Sequence, residues 1–154
     1  MPLLDYQVVV PPAFQARQPS SSMRLAEFTV PESGAPPAEV VVYYFGEGQG
    51  GSVEANIARW SAQFTGADGS SVAPRLATAQ GTAFPTTVAE YEGAYARGVG
   101  LGPAEATPDQ ALVAAVVETP RGNLFLQLVG PRAAVAVARG DFLRMVESIE
   151  PGTR

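Results

Sequence analysis

The 154-residue chain contains no cysteine, no histidine and no lysine, so that all ten of its basic residues are arginines. Without cysteine there are no disulfides, thiolate nucleophiles or cysteine-type zinc sites, and without histidine the commonest general base and metal ligand are missing. Ser-His-Asp and Cys-His catalysis are therefore excluded. The lack of lysine also excludes Schiff-base chemistry and a Walker-type phosphate lysine. We predict no catalytic residues, no metal and no cofactor.

Charge is also sparse, because charged residues make up 16% of the chain and the net charge is −5. A typical soluble domain has about 25% charged residues. A net negative charge disfavours binding to nucleic acids and to anionic membranes. The longest apolar runs, residues 40–45 and 111–117, are far shorter than the roughly 18 residues of a membrane helix. We therefore expect no nucleic-acid partner and no membrane span.

The amino-terminal residues lack the basic and apolar regions of a signal peptide. Two cellular locations stay open on this evidence. The protein is extracytoplasmic, in the periplasm or anchored to lipid, if an export signal has been removed before Met1. It is cytoplasmic otherwise.

Hydrophobic periodicity predicts strands, two helices and one domain over residues 1–154, with a core at about residues 6–149. A continuous apolar run at 39–45 is typical of a strand buried on both faces near the middle of a sheet. A helix is expected at about 52–64, and a second begins at Pro131 and ends before Pro151. The remaining predicted strands cover residues 6–10, 23–30, 75–80, 86–95, 111–119 and 123–129, the last two forming an antiparallel hairpin, and a long loop covers residues 98–108.

This order of elements predicts an α+β fold with a mainly antiparallel sheet of six to seven strands. Several of the strands are apolar on both faces and therefore need cover on both sides. The two amphipathic helices can supply that cover, which gives an α/β/α sandwich.

Several short patterns carry a family resemblance. They are Met23-Arg24 at the start of a strand, Phe45-Gly46 leading into Gln49-Gly50-Gly51, Asn56-x-x-Arg59-Trp60 on the first helix, Leu128-Val129-Gly130-Pro131, and Phe142-x-x-Met145-x-x-Ser148-Ile149 on the second helix. Together they resemble a family of uncharacterised bacterial proteins related in fold to PsbP, the extrinsic protein of photosystem II, and to a Ran-binding nuclear import factor. The resemblance implies an antiparallel sheet between helices and a binding or assembly role. It also implies that bacterial relatives are often exported or lipid-anchored.

The segment Gly46–Gly51 fits the pattern G-x-G-x-x-G between a predicted strand and a predicted helix. A dinucleotide site would also need a parallel strand ending in an acidic residue, and a polar loop follows the helix instead. We therefore favour glycines that serve a tight turn and the start of the helix. A simple anion site at the amides of the helix start is a second interpretation.

Three polar residues of the first helix, Asn56, Arg59 and Gln63, share one side beside this loop. With Gln49 they form our candidate binding residues. The alternative, which we favour, is that these side chains hydrogen-bond the loop backbone and anchor it.

Glu90 and Glu92 lie two residues apart on a predicted strand, so both face the same side, about 7 Å apart. This separation overlaps that of the carboxyl groups of inverting glycosidases, but two neighbours on one strand do not easily flank a sugar. A solvated strand face is the favoured interpretation.

Five aromatic residues, Tyr43, Tyr44, Phe45, Tyr91 and Tyr95, are expected to cluster in the core, and any exposed part of that cluster would suggest a protein-binding face. The leading functional prediction is a non-enzymatic binding or assembly module whose partner is another protein. The alternative is a small-ligand-binding or hydrolytic protein that uses Glu90 and Glu92 or the Gly46–Gly51 loop.

Overall fold

The computed structural model of the protein describes residues 2–19, 22–66, 69–79, 82–96 and 107–152. Eleven strands and two α-helices form within them. In chain order they are β1 (Pro2–Leu3), β2 (Tyr6–Gln7), β3 (Gln15–Arg17), β4 (Arg24–Val30), β5 (Ala38–Tyr43), α1 (Val53–Ala62), β6 (Phe64–Thr65), β7 (Arg75–Thr78), β8 (Thr86–Tyr95), β9 (Thr107–Thr119), β10 (Gly122–Pro131), α2 (Arg132–Glu147) and β11 (Glu150–Pro151).

Eight of the strands form one antiparallel sheet in the order β3-β4-β5-β10-β9-β8-β6, and β7 pairs with β8 beside β6. The α+β class with a large antiparallel sheet and two helices is thus as predicted. The expected number of six to seven strands was too low. Strands such as β3 and β6 have only two or three residues, which is too short for a period-2 pattern to show in the sequence.

Three more strands form a small separate sheet in the order β1-β2-β11. Of the predicted strand at 6–10 only Tyr6–Gln7 is extended and paired, and its partners are β1 and β11 rather than a strand of the main sheet. That part of the prediction was wrong. Pairing with a segment almost at the other end of the chain leaves no local signal in the sequence.

The hairpin of β9 and β10 lies at the centre of the sheet and is joined by a turn at Pro120 and Arg121, with Thr119 opposite Gly122. Both strands are longer than predicted. The predicted loop at 98–108 lies outside the described residues, except for Thr107 and Pro108, which belong to β9.

Both helices form close to their predicted positions. Ser52 caps α1, since its Oγ accepts a hydrogen bond from the Ala55 amide (3.0 Å). The helix ends at Ala62, earlier than predicted, because Phe64–Thr65 pairs with β8. In α2 the first helical residue is Arg132, with Pro131 in the capping position rather than inside the helix, and Gly140 does not interrupt the helix.

Side chains alternate between the two faces of the central strands and build two separate apolar clusters. The first cluster combines one set of alternating residues, such as Val113 and Leu126, with six buried side chains of α2. The second cluster combines the other set, such as Leu112 and Phe125, with Trp60 of α1. Within the described part of the chain, no helix is both long enough and apolar enough to cross a membrane.

Candidate functional site

The glycine-rich loop Gly46–Gly51 connects β5 to α1 and is held in place by Asn56. This asparagine is only 1% exposed. Its Nδ2 donates hydrogen bonds to the carbonyl oxygens of Gly50 (2.8 Å) and Ser52 (2.8 Å). Its Oδ1 accepts a hydrogen bond from the Arg59 guanidinium. The amide of Asn56 therefore anchors the loop to the helix, which agrees with the structural interpretation of this residue.

Packing accounts for at least one glycine of the loop. Gly50 has a φ of +88°, and a Cβ at this position would lie 2.8 Å from ring carbons of both Phe45 and Phe125. No side chain fits there without displacing an aromatic ring. After α1 the chain continues into β6, which runs antiparallel to β8, so the parallel strand of a dinucleotide-binding unit does not follow.

The other two candidate residues lie at opposite ends of α1. Gln49 is exposed in the loop, where its backbone amide donates to the Gly46 carbonyl (3.0 Å). Gln63 follows the last residue of the helix, and its carbonyl accepts a hydrogen bond from the Ala96 amide (2.8 Å). Its buried Oε1 has no hydrogen-bond partner within the described part of the chain. The structure thus joins Asn56 to Arg59 and to the loop that carries Gln49, whereas no side-chain hydrogen bond within the described residues joins Gln63 to them.

The five aromatic residues do not form a single cluster. The rings of Tyr43 and Phe45 stack at 5.8 Å, and both residues are half-buried. The guanidinium of Arg24 lies 5.4 Å from the centre of the Tyr43 ring. Tyr44 points away from this pair, and its hydroxyl donates to the Arg121 carbonyl (2.6 Å). The exposed part of the predicted cluster therefore consists of Tyr43 and Phe45.

The remaining two, Tyr91 and Tyr95, stack on Phe64 at 5.3 and 4.7 Å. The Tyr91 hydroxyl donates to the carbonyl of Ile57 (3.0 Å) and lies 2.9 Å from Ser61 Oγ. Burial raises the pKa of this phenol. Tyr91 is therefore a neutral side chain that ties α1 to β8.

The two strand carboxylates differ sharply in their surroundings. Glu90 is 11% exposed and binds the Arg139 guanidinium through both oxygens (2.6 and 2.7 Å). This hydrogen bonding from Arg139 lowers the pKa of Glu90 and raises that of Arg139. Glu92 is 52% exposed and lies 4.0 Å from Arg75. The prediction of a solvated face holds for Glu92 and was wrong for Glu90, whose partner on α2 is 49 residues away.

Glu27 on β4 is a buried carboxylate that was not predicted as a site residue. It is 3% exposed and forms ion pairs with Arg17 (3.1 Å) and Arg24 (2.8 Å). Arg17 continues the network to Glu39 at 2.9 Å. The acidic Glu27 inside an apolar strand was the signal for this network, but Arg17 comes from the neighbouring β3, which the sequence did not reveal.

A cleft of about 550 Å³ lies beside the small sheet, where the rings of Tyr6 and Phe84 meet edge to face at 5.2 Å. It contains none of the predicted site residues. No group of three or more acidic side chains that could hold a metal ion occurs within the described ranges.

Comparison of the sequence with protein-family models gives no match, and comparison with curated proteins gives none either. Comparison of the structure does give a match. The solution structure of cyanobacterial PsbP (CyanoP) from Synechocystis sp. PCC 6803 aligns with 96% of this chain and 86% of its own, at a TM-score of 0.57 and 11% sequence identity. This likeness shows a PsbP-like fold, as the sequence patterns had suggested.

Proposed function

We propose that the protein is a non-enzymatic binding or assembly module, built as an α/β/α sandwich with a helix on each face of the sheet. Its partner in this proposal is another protein, which docks beside α1. One observation carries the proposal: the second apolar cluster is incompletely covered. Its margin consists of half-buried apolar side chains, here called the α1 rim, namely Tyr43, Phe45, Val53, Ile57 and Val72.

The two helices support this choice of surface. Six residues of α2 are buried, all of them apolar, whereas only Asn56 and Trp60 are buried in α1. The α1 rim therefore leaves apolar surface in contact with water that a partner can cover. Arg24 lies against Tyr43 in this rim, and protein interfaces are enriched in aromatic residues and arginine.

The hydrolytic alternative receives less support from the geometry. Glu90 is held ionised by two short hydrogen bonds from Arg139, so it is a poor proton donor. Glu92 neighbours it on the same strand rather than facing it across a cleft. Measurable hydrolysis of any glycoside that is lost in Glu90→Gln would favour this alternative.

The proposal also includes a bacterial origin and an extracytoplasmic location, which rest on the family resemblance in the sequence. Fractionation of source cells tests the location. Recovery of the native protein with the periplasm or the envelope is expected, and recovery with the cytoplasm would contradict it.

A photo-crosslinking amino acid placed at position 43 tests the docking surface. We expect it to capture one protein from source-cell extract, identified by mass spectrometry, and we expect Phe45→Glu to abolish that product. The matched control places the same crosslinker at position 137, since Val137 is an exposed apolar residue of α2. Equal capture at both positions, or capture that Phe45→Glu does not reduce, would contradict the proposal.

A further inference from the structure

Arg59 differs from the other arginines in its partner. Eight arginines lie within the described residues, and seven of them form ion pairs with carboxylates. Arg59 forms none within that part of the chain and donates only to the neutral Oδ1 of Asn56. It is exposed, in a protein whose net charge is −5. Its positive charge therefore lacks the carboxylate partner that each of the other described arginines has.

The guanidinium is also held in a defined position. Asn56, which accepts its hydrogen bond, is itself buried and fixed by two hydrogen bonds to the carbonyls of Gly50 and Ser52. An arginine side chain ordered in this way has already lost part of the rotamer freedom that binding would otherwise cost. Asn56 is thus a positioning residue for Arg59, in addition to its role as an anchor of the loop.

The chemistry of the Arg59 guanidinium defines which ligand groups it can bind. A guanidinium has five N–H donors in a fixed planar fork, and the hydrogen bond to Asn56 involves only one of its nitrogens. The remaining donors match the two oxygens of a carboxylate. Two nearby acidic residues, Glu47 in the loop and Glu54 in the first turn of α1, are exposed, and neither pairs with Arg59.

We infer that Arg59 recognises a carboxylate of the partner protein, an aspartate or glutamate flanked by apolar side chains that cover the α1 rim. The inference rests on the proposed function and names the chemistry of its partner. Asn56, which accepts the hydrogen bond of Arg59, also donates to the Gly50 carbonyl, and Gly50 packs against the ring of Phe45 in the α1 rim, which places the charge near the apolar surface. A single extended or helical segment of the partner can contact both Arg59 and the α1 rim.

A purely structural role makes a different prediction. Arg59 lies in the last turn of α1, where a positive charge stabilises the helix dipole. If that is its whole role, Arg59→Gln lowers stability and leaves binding unchanged. Thermal unfolding of each variant is therefore measured together with binding.

The experiment selects a phage-displayed library of random peptides on the wild-type protein and measures the binding of synthesised hits by fluorescence polarisation. We expect the hits to be enriched in Asp or Glu beside apolar residues, and Arg59→Gln to weaken them about fivefold at low salt, with a smaller effect at high salt. Arg144→Gln is the matched control, because Arg144 is an exposed arginine of α2 that pairs with Asp141. A peptide with its acidic residue changed to Arg should regain affinity for Arg59→Glu.

The outcomes separate the two proposals. Hits that are lost in Phe45→Glu but lack acidic residues, or are unchanged by Arg59→Gln, overturn the carboxylate inference and leave the docking surface standing. No hits, or hits insensitive to Phe45→Glu, count against the docking surface itself. Self-association of the wild-type protein that disappears in Arg59→Gln would assign the site to a second copy and overturn the inference of a separate partner.

Discussion

In the proposed sandwich, the two faces of the main sheet are stabilised in different ways. On the first face α2 contributes six buried apolar side chains, and the ion pair between Arg139 and Glu90 joins the helix to β8. On the second face α1 is held by directional hydrogen bonds, from Asn56 to the loop carbonyls and from Tyr91 to Ile57. This same face is polar over β3, β4 and β5, where the ion pairs of Glu27 lie.

The difference indicates how stability and function are divided in this molecule. The first apolar cluster contains more buried residues than the second, so its burial makes the larger hydrophobic contribution to stability. The second face fixes the positions of polar groups, and the apolar side chains of its α1 rim are only half-buried. A partner that docks there adds contacts without competing with the core.

The largest expected effect is a loss of stability on the first face of the sheet. Phe142→Ala removes a fully buried ring between α2 and the sheet, and we expect a loss of about 4 kcal/mol in the free energy of unfolding, measured by urea denaturation. Val137→Ala on the exposed side of the same helix should change it by less than about 0.5 kcal/mol. Similar losses in the two variants would contradict the assignment of α2 to the core.

On the second face, Asn56→Ala tests the polar anchor. The Gly50 carbonyl loses its side-chain donor and the Ser52 carbonyl keeps only the backbone amide of residue 56, so we expect a loss of about 2 kcal/mol in the free energy of unfolding together with faster amide exchange over residues 46–51. Gln49→Ala in the same loop is the control and should leave both quantities unchanged, since its side chain is exposed. Unchanged exchange in Asn56→Ala would show that the loop is held by other contacts.

The ion pair between Glu90 of β8 and Arg139 of α2 makes a smaller, pH-dependent contribution to stability. Because Arg139 lowers the pKa of Glu90 below 4.5, the pair stabilises the folded state above the unfolded-state pKa, and this stability is lost as the pH falls through the lowered value. We expect Glu90→Gln to lose about 1 kcal/mol at neutral pH, and we expect this deficit to shrink as the pH falls below the unfolded-state pKa. The exposed Glu118→Gln serves as control, and a deficit that does not shrink in acid would exclude the electrostatic explanation.

The smallest expected effect is a gain in stability. Gly140 lies inside α2, and a Cβ there would approach only the flexible end of Arg144, at 3.6 Å. Gly140→Ala should therefore stabilise the protein by about 0.7 kcal/mol through helix propensity, which thermal denaturation can detect. No gain would mean that the close packing of α2, rather than its propensity, limits its stability.

Local patterns in the sequence were sufficient for the central elements. The apolar run that contains β5, the β9–β10 hairpin and the periodicity of α2 all predicted their structures, because each signal lies within one segment. The two-residue strands and the β2–β11 pairing could not be predicted, since they depend on contacts between distant segments. The same reason applies to the site. The anchoring role of Asn56 was foreseen from helical spacing, whereas the pairing of Glu90 with Arg139 depends on how α2 lies on the sheet.

The small sheet has a mechanical consequence. Because β2 pairs with β11 and the Gly152 amide donates to the Asp5 carbonyl (2.8 Å), the two ends of the described chain lie next to each other. A force that pulls these ends apart acts first on the two short strands β2 and β11. It breaks the hydrogen bonds between them one after another. The force reaches the eight-stranded sheet only after β2 and β11 have separated. The force at which the ends first separate is therefore set by this pairing together with Tyr6 of β2, which packs in the first apolar cluster.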